Sequence, residues 1–206
     1  MRLSRHRLVQ VTAVLLATLA ATSAPASEPK PDAKASSAAQ PPTAAPVTEP
    51  PAPAPRPEDV ATPEAIVAAL YDVISGPKGQ ARDWNRFRSL FAPGARMIPS
   101  GKRPDGTQGY RVLTPEEYIA RSEKLLVEEG FRESEVHRVV ERFGPLVHVF
   151  STYEGRREGD TKPFVRGINS IQVVHDGKRW WVLTVAWTPE TPDQPLPEKY
   201  LPPIKP

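Results

Sequence analysis

His148 and Glu154 lie six residues apart in the run LVHVFSTYEGR, whose β-branched and aromatic content reads as a strand. An imidazole and a carboxyl are the side chains most used in general acid–base catalysis. Period-2 alternation puts both on one strand face with Thr152, but six residues of strand span about 20 Å. They cannot touch, so a shared role requires a ligand of that length. Asn169 is a candidate of another kind. In the run GINSIQVVHDGKRWWVLTVAWT, Asp176-Gly177 marks a hairpin between two strand-like segments. With His175-Asp176-Gly177 as a three-residue loop, Val173 pairs with Arg179, Ile171 with Trp181, Asn169 with Leu183 and Gly167 with Val185. One face then carries Ile171, Val173, Trp181, Leu183, Val185 and Trp187, and Asn169 is its single polar member. A buried amide must bond protein groups or a ligand. Trp84, Tyr118, Trp181 and Trp187 are the aromatics suited to lining an apolar pocket beside it, and each also suits a core.

Several chemistries find no support. Ser151 and Ser170 lie inside strands, not on a strand–turn–helix elbow, so no nucleophilic triad is framed. The segment GKRPDG at 101–106 has no strand–loop–helix frame for phosphate. The four histidines have no metal-ligand spacing, and there is no cysteine. Neither a metal nor another cofactor is therefore expected.

The elements that must position these residues are legible from caps and periodicity. Thr62-Pro63-Glu64 opens a helix with Ile66, Val67, Leu70, Tyr71 and Ile74 on its apolar side, stopped by Gly76-Pro77. Asp83 opens a second, carrying Trp84, Phe87, Leu90 and Phe91. A short strand follows at 95–98, then a Gly/Pro-rich loop or loose hairpin. Thr114 with Glu117 is a capping box for a third helix, which ends near Gly130. Strands are expected over 133–143, 146–157, 164–174 and 179–188. Three helices followed by a strand meander imply an α+β domain, with the helices on one face of an antiparallel sheet.

The N-terminus has a separate logic. Arg2, Arg5 and Arg7 precede an uncharged apolar run, and Ala24-Pro25-Ala26 offers a cleavage site, so residues 1–26 read as a secretory signal peptide. The run is short and Ala/Thr-rich against the roughly 20 residues a membrane span requires. No stable span is expected after cleavage, and the location is periplasmic or secreted. Loss of those three arginines takes the formal +3 to zero, which leaves nucleic acid without electrostatic support as a partner. Twelve of the 26 prolines fall between Pro25 and Pro63, with few large apolar residues, so 27–61 reads as a disordered Pro/Ala-rich tether. The domain is expected over 62–190, with a Pro-rich tail at 191–206.

The ordered set Phe91-Ala92-Pro93-Gly94-Ala95, Arg166-Gly167-Ile168-Asn169-Ser170-Ile171 and Arg179-Trp180-Trp181-Val182 through Trp187 resembles the NTF2-like superfamily, including its SnoaL-like and steroid Δ-isomerase-like members. The resemblance covers about residues 62–190. It implies a cone, with three helices on the concave face of a strongly curved antiparallel sheet around an apolar pocket, and a homodimer packed sheet to sheet. In isomerase-like members an Asp after the first short strand removes a proton, and here Pro99 or Ser100 stands there. Tyr71 lies about two positions from the helix-1 donor tyrosine, roughly 200° of rotation, and so reads as a core tyrosine. The expected function is therefore a non-catalytic module for a small apolar ligand or a protein partner. The alternative is a SnoaL-like isomerase, cyclase or hydrolase for a cyclic or carbonyl-bearing molecule, with His148 or Glu154 as acid–base.

Overall fold

Each helix begins where a side-chain oxygen is ready to take an orphan N–H. In the computed structural model, which describes residues 52–103 and 105–203, Thr62 accepts from Ala65 N at the start of α1 (Pro63–Ile74). Asp83 accepts from Arg86 N at α2 (Trp84–Leu90). Thr114 and Glu117 form the expected capping box at α3 (Pro115–Glu129). The expected signal peptide, 1–26, and residues 27–51 of the expected tether lie outside the described residues. Packing nevertheless reaches back past Thr62. In a 3-10 turn at Pro57–Val60, Val60 enters the core and buried Asp59 binds Arg86 through both carboxylate oxygens, at 2.7 and 2.8 Å.

Six strands follow: β1 (Phe91–Lys102), β2 (Gln108–Tyr110), β3 (Arg132–Phe143), β4 (Leu146–Arg156), β5 (Val165–His175) and β6 (Trp180–Pro189). They form one sheet in the order β2-β1-β6-β5-β4-β3. The α+β class and the four late strands agree with the sequence reading. One pairing departs from it: β1 is longer than residues 95–98 and runs parallel to β6. Its continuation, β2, folds back on it as a short hairpin.

The core lies between the helices and one sheet face. Ile66, Val67, Leu70 and Tyr71 of α1 pack there with Phe87, Leu90, Val147, Val149, Ile171, Val173 and Val182. On β4 the buried helix-side series Val147, Val149, Ser151 and Tyr153 alternates with His148, Phe150, Thr152 and Glu154 on the outer face.

The β5–β6 register corrects the expected one. Asp176 accepts from the backbone N–H groups of Lys178 and Arg179, so the loop is Asp176–Arg179 and His175 pairs with Trp180. Gly177, at φ 96°, supplies the left-handed turn position. A bulge then leaves Leu183 between the pairs Val173–Val182 and Gln172–Thr184. Beyond it, Ile171 faces Val185 and Asn169 faces Trp187, not Leu183.

Candidate functional site

Asn169 is buried on the helix-covered face, as alternation required. Both hydrogens of its amide are committed: Nδ2 donates to Tyr71 Oη at 3.0 Å and to Glu133 Oε1 at 3.2 Å. Tyr71 Oη is also 2.7 Å from Ser151 Oγ, and Ser151 donates to Glu135 Oε2. Since the Ser151 proton points at Glu135, the Tyr71 proton points at Ser151. Arg138 in turn binds Glu135. A directed chain of hydrogen bonds thus runs from Asn169 through Tyr71 and Ser151 to a paired carboxylate. It fixes the Asn169 amide so that its second hydrogen meets Glu133.

Glu133 is the chemically distinctive group. It enters from β3 near the C-terminal end of α1, where Ser75 Oγ accepts from Glu133 N at 2.9 Å and donates to Tyr71 O at 2.6 Å. Its Oε1 accepts only from Asn169, and no described residue bonds the other oxygen. Burial pushes its carboxyl up to about 7, opposed only by the Asn169 bond, with no cation nearby to lower it. Tyr71, Tyr118 and Tyr153 are held well above the usual phenol range, first by burial and then by the Glu133 charge, so all three hydroxyls keep their protons. Glu133 is partly accessible, although the three tyrosines are buried. This is a proton acceptor titrating near neutrality among phenolic donors, an arrangement suited to proton transfer. Gly167 makes room for it: a Cβ there would lie 2.7 Å from Tyr153 Oη.

The residues singled out in the sequence divide between the two faces. Tyr118 stacks on Phe87 with centroids 5.5 Å apart and meets Trp187 edge-on at 6.1 Å, forming an aromatic wall beside Asn169. Trp84 sits further along, edge-on to Phe87 and donating to Glu123 from α2 to α3. Trp181 belongs to the hairpin tip instead, where its Nε1 donates to Asp176 at 2.8 Å and Arg179 covers its ring. The altered register puts it opposite Val174, away from Asn169.

His148 and Glu154 both lie on the outer face. His148 Nε2 is 2.9 Å from Ser170 Oγ, and Glu154 accepts from Arg156 at 2.7 Å. They are separated from the Asn169 site by the sheet, and the carboxyl within that site is Glu133 instead. Ser100 hydrogen-bonds Trp187 O and Thr188 Oγ1, and no carboxylate stands at 99 or 100. Sequence reasoning passed over Glu133 and Glu135, weighed Ser151 only as a nucleophile, and took Tyr71 for a core residue. The available signal was period-2 alternation in Glu133-Ser134-Glu135 beside a helix end. Among the described residues, no His/Asp/Glu group is arranged to hold a metal, and no helix is long and apolar enough to cross a membrane.

No family model matches the chain, and no curated protein is similar to it in sequence. Solved structures are similar at a distance. An NTF-2 like protein of unknown function from Silicibacter pomeroyi is 16% identical with a TM-score of 0.40, over 63% of this chain and 94% of that one. An NTF2-like protein of unknown function from Pseudomonas putida is 15% identical with a TM-score of 0.41, over 60% and 83%. A protein with a ketosteroid isomerase-like fold from Catenulispora acidiphila, solved in complex with trimethylamine, is 18% identical with a TM-score of 0.38, over 68% and 95%. By its own element order, three helices against one face of a mostly antiparallel sheet, this chain has the α+β class expected from its sequence.

Proposed function

We propose that this chain binds a small carbonyl-bearing molecule against the helix-covered face of its sheet and transfers a proton on it. The observation that carries this reading is Glu133, a carboxyl raised to about 7 that accepts from Asn169 through one oxygen, has the other unbonded, and whose charge reaches the Tyr118 hydroxyl. In the step envisaged, the Glu133 carboxylate takes a proton from the carbon next to the carbonyl. The C–H electron pair moves to the carbonyl oxygen to give an enolate, and Tyr118 donates a hydrogen bond to that oxygen. Return of the proton to another carbon would complete an isomerisation. A second reading, non-catalytic binding of a small apolar ligand, is favoured by the aromatic wall of Phe87, Tyr118 and Trp187. In either reading we take the site to act outside the cytoplasm, on the strength of the N-terminal signal.

The test is hydrogen exchange. The full chain is incubated in D2O with a panel of cyclic ketones, and deuterium uptake next to the carbonyl is followed by mass spectrometry. Wild type is expected to accelerate uptake by about 100-fold or more for at least one ketone, and Glu133→Gln to return it to the protein-free rate. Acceleration that survives in Glu133→Gln would overturn the catalytic role. Ketone binding without exchange in wild type would leave the non-catalytic reading in its place.

A further inference from the structure

On the outer face of the sheet, three neighbouring strands bring a carboxylate, an imidazole and a hydroxyl into one row. Glu141 of β3 pairs directly with His148 of β4, and His148 pairs with Gln172 of β5, two residues along from Ser170. His148 Nε2 lies 2.9 Å from Ser170 Oγ, and its Nδ1 lies 3.9 Å from Glu141 Oε2. A carboxylate on the Nδ1 side favours the tautomer that carries its proton there, so the bare Nε2 accepts from the Ser170 hydroxyl. Ser170 Oγ bonds no other described residue. The row is open to solvent, with the His148 side chain 34% exposed and that of Glu141 82%. Phe150 stands opposite Ser170 on one flank and Ala186 on the other, so an apolar shelf borders the hydroxyl.

We infer that Ser170, His148 and Glu141 form a second site, independent of Glu133, in which a nucleophile, its base and an orienting carboxylate hydrolyse small carboxylic esters. Such a set is defined by geometry and roles, not by chain order. Here cross-strand register supplies the geometry that a strand–turn–helix elbow supplies elsewhere. Ser170 Oγ attacks the ester carbonyl carbon while its proton passes to His148 Nε2. The exposed Gln172 amide, cross-strand neighbour of His148, donates to the oxyanion that forms. Collapse breaks the bond between that carbon and the alcohol oxygen, and the alcohol leaves with the proton from His148. Water then adds to the acyl carbon and gives a proton to His148. That proton returns to Ser170 Oγ as the carboxylic acid departs. Glu141 touches no substrate and acts through the imidazole as a positioning residue.

The probes are an alkyl fluorophosphonate and 4-nitrophenyl acetate, applied to the full chain. The fluorophosphonate is expected to phosphonylate Ser170 with loss of fluoride, and peptide mass spectrometry reads which residue carries the label. His148→Gln should slow that labelling by about 100-fold or more, the scale of a lost general base. Glu141→Gln should lower kcat for the acetate about fivefold, the worth of an exposed ion pair, and leave KM unchanged. Because the Glu141 side chain is mostly exposed, the thermal midpoint of that variant should match wild type, which separates positioning from folding. No label on Ser170 in wild type overturns the inference, and so does labelling that is equally fast in His148→Gln. Acetate turnover that persists in Ser170→Ala also overturns it, because other surface nucleophiles would then account for the reaction. An unchanged kcat in Glu141→Gln overturns the place of the carboxylate in the set.

Discussion

Glu133 works against the fold wherever it is ionised. Its folded pKa of about 7 lies above the ordinary 4.5, so between those values the native state holds a proton that the unfolded chain has released. Stability must therefore fall as pH rises through that window, with the full penalty present above about 7. Glu133→Gln keeps an oxygen for Asn169 and removes the charge. It should raise stability at pH 8 by about 1–3 kcal/mol and change little near pH 4. Urea denaturation at the two pH values measures this, and equal effects at both would mean that Glu133 titrates like an exposed carboxylate. The residue was hard to see in the sequence for a physical reason. Glu133-Ser134-Glu135-Val136-His137-Arg138 is as charged as a solvated edge, and only contacts 36 to 58 residues distant, with Asn169 and Ser75, turn Glu133 inward. Asn169 was legible because it interrupts an apolar alternation within its own strand.

Between elements, the geometry of the candidate site depends on how α3 is set against the end of α1, and Arg82 makes that connection. Its buried guanidinium donates to Ile74 O at 2.9 Å, Gly76 O at 2.8 Å and Gln80 O at 2.5 Å, and across to Leu126 O of α3 at 2.8 Å. Tyr71 and Ser75 lie on the α1 side of this clamp, Tyr118 and Ser122 on the α3 side. Arg82→Met would remove all four of these bonds and should cost about 2–4 kcal/mol, with Arg82→Lys intermediate because an ammonium cannot reach all four carbonyls at once. Equilibrium unfolding in urea checks both, and an Arg82→Met protein as stable as wild type would remove the clamp from the account. The helices themselves were legible because Thr62, Asp83 and the Thr114/Glu117 box are local signals. Arg82 in the run GQARDW was not, since a charge in a short loop ordinarily faces water. The β5–β6 register failed in a related way. The turn was correctly located, but the bulge at Leu183 depends on what packs on either side of the sheet.

Across the whole molecule, the two sheet faces are closed by different means. Helices cover one, and part of the other is covered by the chain that follows β6. Glu190 binds Arg166 through both its oxygens, at 2.9 and 3.1 Å, and accepts from Leu196 N at 3.0 Å. This directs the tail back over β4, where Thr152 Oγ1 donates to Tyr200 O at 2.6 Å and the Tyr200 ring lies 4.9 Å from Phe150. Thr152, an outer-face residue, is fully buried as a result. Sheet-to-sheet pairing of two copies would need this same surface, so a second copy would have to displace the tail from Phe150 and Thr152. Val139 beside Phe150 is 40% exposed, so apolar surface continues past the edge of the tail. Ending the chain after Glu190 should uncover Phe150, leave the Thr152 hydroxyl to water and lower stability by about 1–3 kcal/mol. Sedimentation velocity is expected to find the full chain monomeric at micromolar concentration and the shortened chain associating. A full chain that dimerises with Tyr200 still seated on Phe150, as read by the NMR shifts of that ring pair, would show that the tail does not guard this face.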